Sequence, residues 1–199
     1  MRLLLATTNH NKVREIRALL DGVAVEIIGL DVFPGIEAPE ETGATFEENA
    51  ALKARYYSRA TGLRAIAEDS GLEIDALGGV PGVESARFGG AEMPYPERFE
   101  TLYRMLDASG GRESLARFVC ALVVADGDDV VFRSRGTVEG SISPEPRGTH
   151  GFGYDPIFFY PPENRTLAEV SDEIKRAVSH RGAAFRQLRA WLEDGSRPG

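Results

Sequence analysis

The chain has 199 residues, a formal net charge of -8, one cysteine and 42% apolar residues. That is enough to bury a full core and is unlike the composition of disordered or fibrous chains; the single thiol, Cys120, excludes an intrachain disulfide framework and any zinc site built from several thiolates. The acidic balance and scattered bases argue against bulk binding of nucleic acid, yet a phosphorylated small molecule can be held where a few bases converge.

No apolar run approaches the ~20 residues that span a bilayer, and no secretion signal follows Met1-Arg2. The expectation is a cytoplasmic protein with no membrane partner. Arg2 to Ala6 read as a short buried strand, and Lys12 to Leu20 as a helix with Val13, Ile16, Leu19 and Leu20 on its apolar face. Between them, TTNHNK (Thr7 to Lys12) is a polar loop feeding a helix N-terminus, where free N–H groups favour an anion. It lacks the glycines of a P-loop. Two readings stand for its side chains: Asn9 and Lys12 contact a phosphate or base, or Asn9 or Asn11 caps the helix and Lys12 faces water. Val23 to Ile28 predicts a second strand, followed by a broken loop over Asp31 to Gly43 that carries Glu37, Glu40 and Glu41. Thr45 with Glu48 three residues on predicts a helix start. Within that helix Asn49 and Lys53, four residues apart, share a face.

Ala65 to Ala67 predict a strand ending in Glu68 and Asp69, then a turn at Ser70-Gly71 and a further strand from Leu72 to Leu77. Acids over a glycine turn suit a divalent cation held against a phosphorylated ligand; a solvated acidic turn is the alternative. Hard oxygens favour Mg²⁺ or Mn²⁺. Pro94 to Asp107 read as a helix with Phe99, Leu102, Met105 and Leu106 inward. Ala116 to Ala125 and Val130 to Val138, joined by a Gly-Asp-Asp turn, predict an antiparallel pair in a mixed sheet. Cys120 lies in that apolar run as an inert buried thiol.

Gly140 to Pro146 read as a connection. In RGTHGFGYDPIFFYP, Gly148, Gly151 and Gly153 frame Phe152, Tyr154 and Asp155. A planar base stacked on a ring with Asp155 at its edge accounts for that pattern, as does a β-turn with two core aromatics. The strand Ile157 to Tyr160 should bury one of Phe158 and Phe159. Thr166 to Glu169 predict a helical start, and Ser171 caps a helix over Asp172 to Ala177. Lys175, Ser179, His180 and Arg181 form a candidate polyphosphate and base-edge site. Ala183 to Leu192 predict the last helix, with Phe185, Leu188, Trp191 and Leu192 as its stripe. Gly195 to Gly199 read as a frayed tail.

Acids for a metal, bases at helix ends and an aromatic-glycine loop together suit hydrolysis of a nucleoside triphosphate. Asp69 or Glu68 would take a proton from water, and Lys12, Lys53 and Lys175 would stabilise the charge released. No side chain stands out as a covalent nucleophile.

Six stretches are similar to the inosine/xanthosine triphosphate pyrophosphatase family: Thr7 to Glu15, Glu40 to Ala54, Ala67 to Arg87, Phe118 to Val124, Gly151 to Phe159 and Thr166 to Gly182. The resemblance runs from Leu3 to Leu192. It implies an elongated α/β protein with a long mixed β-sheet flanked by helices, one domain over residues 1–199 made of two interleaved lobes with an active-site cleft between them, and a homodimer. The implied activity splits ITP, dITP or XTP into monophosphate and pyrophosphate with Mg²⁺. By the resemblance, Thr7, Thr8, Asn9 and Lys12 bind phosphate, with Glu15 their partner acid and Thr8 in place of a common glycine. Glu41, Asp69 and Glu68 are the metal carboxylates, Glu68 standing where bacterial members usually carry aspartate. Lys53 and Ser70 complete the phosphate side. Phe152 stacks on the base, Gly153, Tyr154 and Asp155 shape its pocket, and Lys175, Ser179, His180 and Arg181 surround base and phosphates, with His180 and Arg181 favouring a 6-keto purine. Glu92 to Arg98 departs from the family's wording and is assigned no function. The alternatives are a pyrophosphatase for dUTP or modified pyrimidines, and a nucleotide-binding protein without turnover.

Overall fold

The computed structural model describes residues 1–195. A seven-stranded sheet runs in the order β2-β1-β3-β4-β5-β6-β7. Its strands are β1 (Arg2–Leu5), β2 (Glu26–Gly29), β3 (Arg64–Ile74), β4 (Leu115–Asp126), β5 (Asp129–Ile142), β6 (Phe158–Tyr160) and β7 (Arg165–Thr166). The helices are α1 (His10–Leu19), α2 (Phe46–Thr61), α3 (Tyr95–Ala108), α4 (Asp172–Val178) and α5 (His180–Gly195). β1 lies parallel to both β2 and β3, with Leu4 opposite Ile28 and Ala65. β6 runs antiparallel to both β5 and β7, so the sheet is mixed, as expected.

The chain divides into two compact units. One comprises Met1–Asp69, Cys120–Gly136 and the chain from Arg181 on; the other comprises Ser70–Val119 and Thr137–His180. In the first, Leu3, Leu5 and Ile66 pack with Cys120, Leu122 and Val124, covered by Ile16 of α1 and by Ala184, Phe185, Leu188 and Leu192 of α5. Every residue from Val119 to Ala125 is buried, the pattern of a strand covered on both faces. In the second unit Leu72, Ile74, Leu102, Leu106, Phe118, Ile157 and Phe158 build a separate core.

Local chemistry sets the helix boundaries. α2 begins where Thr45 Oγ1 accepts the Glu48 N–H (3.2 Å) and Glu48 Oε2 accepts the Ala44 N–H (2.7 Å). It ends at Gly62, whose φ of 67° closes the last turn.

Several expectations are corrected. Ser70-Gly71 is not a turn: β3 continues unbroken through Ile74. Gly71 is required there by close approach, because a Cβ would run into Ser85 Oγ and the Gly82 carbonyl oxygen. Gly140 likewise lies within β5, where a Cβ would meet the Phe159 carbonyl and the Phe158 ring. Thr166 begins no helix. It ends β7 fully buried, its N–H held by Glu169 Oε2 and its hydroxyl donating to the Arg147 carbonyl. Met105 is only half-buried, and Tyr103 joins the core in its place. α5 starts at His180 rather than Ala183 and runs to Gly195; the rest of the expected tail lies outside the described residues.

Candidate active site

In the first unit the end of β1 delivers the chain to Thr7, whose Oγ1 accepts the Asn9 N–H (3.2 Å). Asn9 caps α1, its Oδ1 accepting from the N–H groups of Asn11 (3.0 Å) and Lys12 (3.2 Å). Of the two readings of Asn9, the cap is the one seen. Thr8 and Asn9 are exposed beside the helix N-terminus. Lys12 does not face water: its Nζ lies 2.9 Å from Glu68 Oε1.

Because β3 is straight through the acid pair, adjacent side chains leave on opposite faces of the sheet. Glu68 points to the side where Ile66 meets α1 and α5, and Asp69 to the side of α2. Glu68 is 4% exposed and accepts from Arg181 Nη2 (3.1 Å) and Nε (3.3 Å) as well as from Lys12. Arg181 Nη1 reaches Glu15 Oε2 at 2.7 Å, and the Cys120 thiol donates to Glu68 Oε2 at 3.4 Å. Burial alone would raise the Glu68 carboxyl. The Arg181 guanidinium and the Lys12 ammonium outweigh it and hold the group well below the usual carboxylate range. The same burial, with Glu68 adjacent, pushes the Cys120 thiol well up, as suits an inert thiol.

On the other face, Lys53 Nζ sits 2.6 Å from Glu41 Oε1 and 3.3 Å from Asp69 Oδ1. Asn49, one helical turn before Lys53 on α2, donates to Asp69 Oδ2 at 3.2 Å and accepts the Gly43 N–H at 2.7 Å. That second bond ties the loop bearing Glu41 to the helix. Burial raises the Asp69 carboxyl; Lys53 opposes the rise and Glu41 adds to it. Burial would lower the Lys53 ammonium, but Asp69 and Glu41 together raise it.

The three expected metal carboxylates therefore do not assemble as one set. No group of three or more metal-binding side chains occurs among the described residues. Glu68 faces away, bound to two bases. Glu41 and Asp69 converge on a single cationic atom, which is the donor chemistry a hard divalent ion uses.

In the second unit Gly151 (φ 73°) and Gly153 (φ 70°) bend the chain around Phe152. Asp155, 2% exposed, turns inward: its Oδ2 accepts the Phe152 N–H (2.8 Å) and receives Lys175 Nζ at 2.6 Å. A Cβ on Gly151 would collide with that same oxygen. Lys175 Nζ lies 4.6 Å from the centre of the half-buried Phe152 ring, a cation–π contact. Asp155 thus fixes the Phe152 turn and Lys175, and Lys175 stands with the aromatic turn.

Tyr154 is buried, its hydroxyl donating to the Ser85 carbonyl (2.9 Å) and its ring edge-on to Tyr95. Burial pushes the Tyr154 phenol up to about 12. Ser179 closes α4, and the His180 ring stacks on Phe118 with centroids 4.9 Å apart. Arg181, expected to read a base edge, is instead committed in the first unit to Glu15 and Glu68. Ser70, half-buried, directly follows Asp69 on β3.

Sequence reasoning passed over Arg98 and Tyr95. Arg98 stands four residues before Leu102 on the inward face of α3, a position where a charged residue is itself a signal.

A family model described as the Ham1 family matches residues 3–191. The chain is 46% identical over 198 residues to a dITP/XTP pyrophosphatase of Thermus thermophilus, covering 100% of this chain and 95% of that one. It is 45% identical over 190 residues to the dITP/XTP pyrophosphatase of an Exiguobacterium strain, covering 96% of each. A solved structure of a HAM1 protein from Coxiella burnetii matches with a TM-score of 0.91 and 39% identity, over 98% of this chain and 99% of that chain.

Proposed function

The chain belongs to the Ham1 family, and from that premise we infer that it hydrolyses the non-standard purine nucleoside triphosphates ITP, dITP and XTP to monophosphate and pyrophosphate. The observation that carries the reading is the separation of the two acids by β3. Asp69 is left beside Lys53 and Glu41, while Glu68 is neutralised by Arg181 and Lys12.

Glu41 and Asp69 would hold the metal, Mg²⁺ or Mn²⁺, which would neutralise the phosphate oxygens. Asp69 is the base that would take a proton from the attacking water. Water oxygen bonds to phosphorus as the α–β phosphoanhydride breaks and pyrophosphate leaves. Lys53 and Lys12, with the N-terminus of α1 and the loop Thr7 to Asn9, meet the triphosphate charge. Ser70 adds a hydroxyl to these phosphate donors. Glu68 is neither metal ligand nor base; it orients Lys12 and neutralises Arg181.

On the base side, Phe152 offers its ring to the purine. Gly153, Tyr154 and Asp155 set that ring's position, and Lys175, Ser179 and His180 supply polar atoms around it. We place the enzyme in the cytoplasm and take it to act as a homodimer, to be checked by sedimentation.

The test is a panel of ITP, dITP, XTP, dUTP, dCTP and ATP with Mg²⁺, with and without chelator, scoring pyrophosphate against orthophosphate. Purine 6-keto substrates should release pyrophosphate, chelation should stop it and Mg²⁺ restore it. Preference for a pyrimidine, or orthophosphate as the product, would overturn the reading.

A further inference from the structure

Arg98 is 2% exposed, and its five N–H groups reach five backbone carbonyl oxygens: Nε to Met93 (2.9 Å), Nη1 to Ser85 (3.1 Å) and Ala86 (2.7 Å), Nη2 to Gly90 (3.0 Å) and Ala91 (3.2 Å). A guanidinium has five donor hydrogens, so this one is fully used. No carboxylate pairs with it among the described residues. Its charge is met by five carbonyl dipoles and the Tyr95 ring, and these bonds tie several points of the loop to one side chain.

Arg98 reaches the aromatic turn by two routes. The Ser85 carbonyl that accepts from Arg98 also accepts the Tyr154 hydroxyl (2.9 Å). The Arg98 guanidinium lies 4.9 Å from the centre of the Tyr95 ring, which meets the Tyr154 ring edge-on at 5.2 Å. Ser85 is anchored from behind as well: its Oγ accepts the Leu72 N–H (2.9 Å) and donates to the Gly82 carbonyl (2.6 Å). Arg98 therefore bears on Tyr154 through both the Ser85 carbonyl and the Tyr95 ring. Tyr154 is two residues from Phe152, in the turn that Asp155 closes.

We propose that Arg98 is a positioning residue for base recognition, its guanidinium holding the 85–93 loop so that Ser85 and Tyr95 fix Tyr154 and, through it, the Phe152 turn. The proposal rests on the pyrophosphatase reading above. It assigns a role to a segment, Glu92 to Arg98, that the sequence left without one.

The experiment compares the parent with Arg98→Met, which keeps an unbranched stem and removes every donor, and with Arg98→Lys, which returns some of them. Each is assayed with ITP, and hydrogen exchange is followed by peptide. Arg98→Met should raise KM for ITP about tenfold, about 1.4 kcal/mol of binding, while kcat stays within about twofold. Arg98→Lys should recover part of the KM. Exchange should quicken in peptides covering 85–93 and 151–155 and stay unchanged in those covering α2.

Unchanged KM, or a fall in kcat as large as the rise in KM with faster exchange everywhere, would overturn it. If the parent hydrolyses none of the triphosphates, the pyrophosphatase reading fails and the recognition role falls with it. Unaltered exchange at 151–155 in an active Arg98→Met would instead sink the positioning claim alone.

Discussion

Adjacent acids on a strand look alike in a sequence and are held quite differently in the fold. Asp69→Asn should abolish turnover and leave the unfolding midpoint nearly unchanged, since Asn can still meet Asn49; steady-state rates and a urea titration check both halves. Glu68→Gln should do the reverse at first order. It removes one of the two carboxylates paired with the buried Arg181 guanidinium, leaving Glu15, and should lower the urea midpoint. The pH dependence has a definite sign. Glu68 titrates lower in the folded than in the unfolded chain, so its contribution is complete above its ordinary value of 4.5 and fades as pH falls through the depressed folded-state value. Glu68→Gln should therefore flatten the acid limb of the stability profile, measured by denaturation from pH 3 to 7. On the base side, Phe152→Ala removes a stacking surface worth about 1–3 kcal/mol and should raise KM for ITP by roughly 5- to 150-fold with little change in kcat. An equal KM would refute the stacking role. The acids and bases that the fold brings together were legible in the chain as residue types. Which acid meets which base was not, because that depends on the face each side chain leaves from.

Helices and strands were legible wherever local signals agreed. Thr45 and Glu48 marked the start of α2 by side-chain bonds to nearby N–H groups, and Ser171 did the same for α4. Asn49 and Lys53, expected on one face, both reach Asp69. The errors came where glycine was taken for a turn. Gly71 and Gly140 sit inside strands because another segment approaches their backbone, and nothing within a few residues announces such a neighbour. Gly71→Ala tests this directly. A Cβ there meets Ser85 Oγ and the Gly82 carbonyl, and overpacking of that kind costs about 1–3 kcal/mol. A lower unfolding midpoint is expected, whereas an ordinary turn glycine at an accessible φ would tolerate alanine. Thr166 misled for a related reason: threonine followed three residues on by glutamate suits a helix cap, yet here the same pair closes a turn after β7.

Each compact unit is assembled from separate stretches of chain, the first from three and the second from two. Neither is a continuous segment that could fold alone, so we expect one cooperative transition for the whole chain. Trp191, the single tryptophan, packs against the core of the first unit. Its fluorescence should therefore melt together with the far-ultraviolet circular dichroism; two separated midpoints would show independent units. Among the described residues no helix is long and apolar enough to cross a membrane. The sequence by itself determined the α/β class, the mixed sheet and most element positions, because periodicity, caps and side-chain types are local properties. Only the tertiary structure decided that β3 runs on and divides Glu68 from Asp69, that Arg181 is spent on Glu15 and Glu68, and that Arg98 gathers a loop. Those outcomes depend on contacts between residues as far apart as 15 and 181, which the folded chain creates and no short stretch of it encodes.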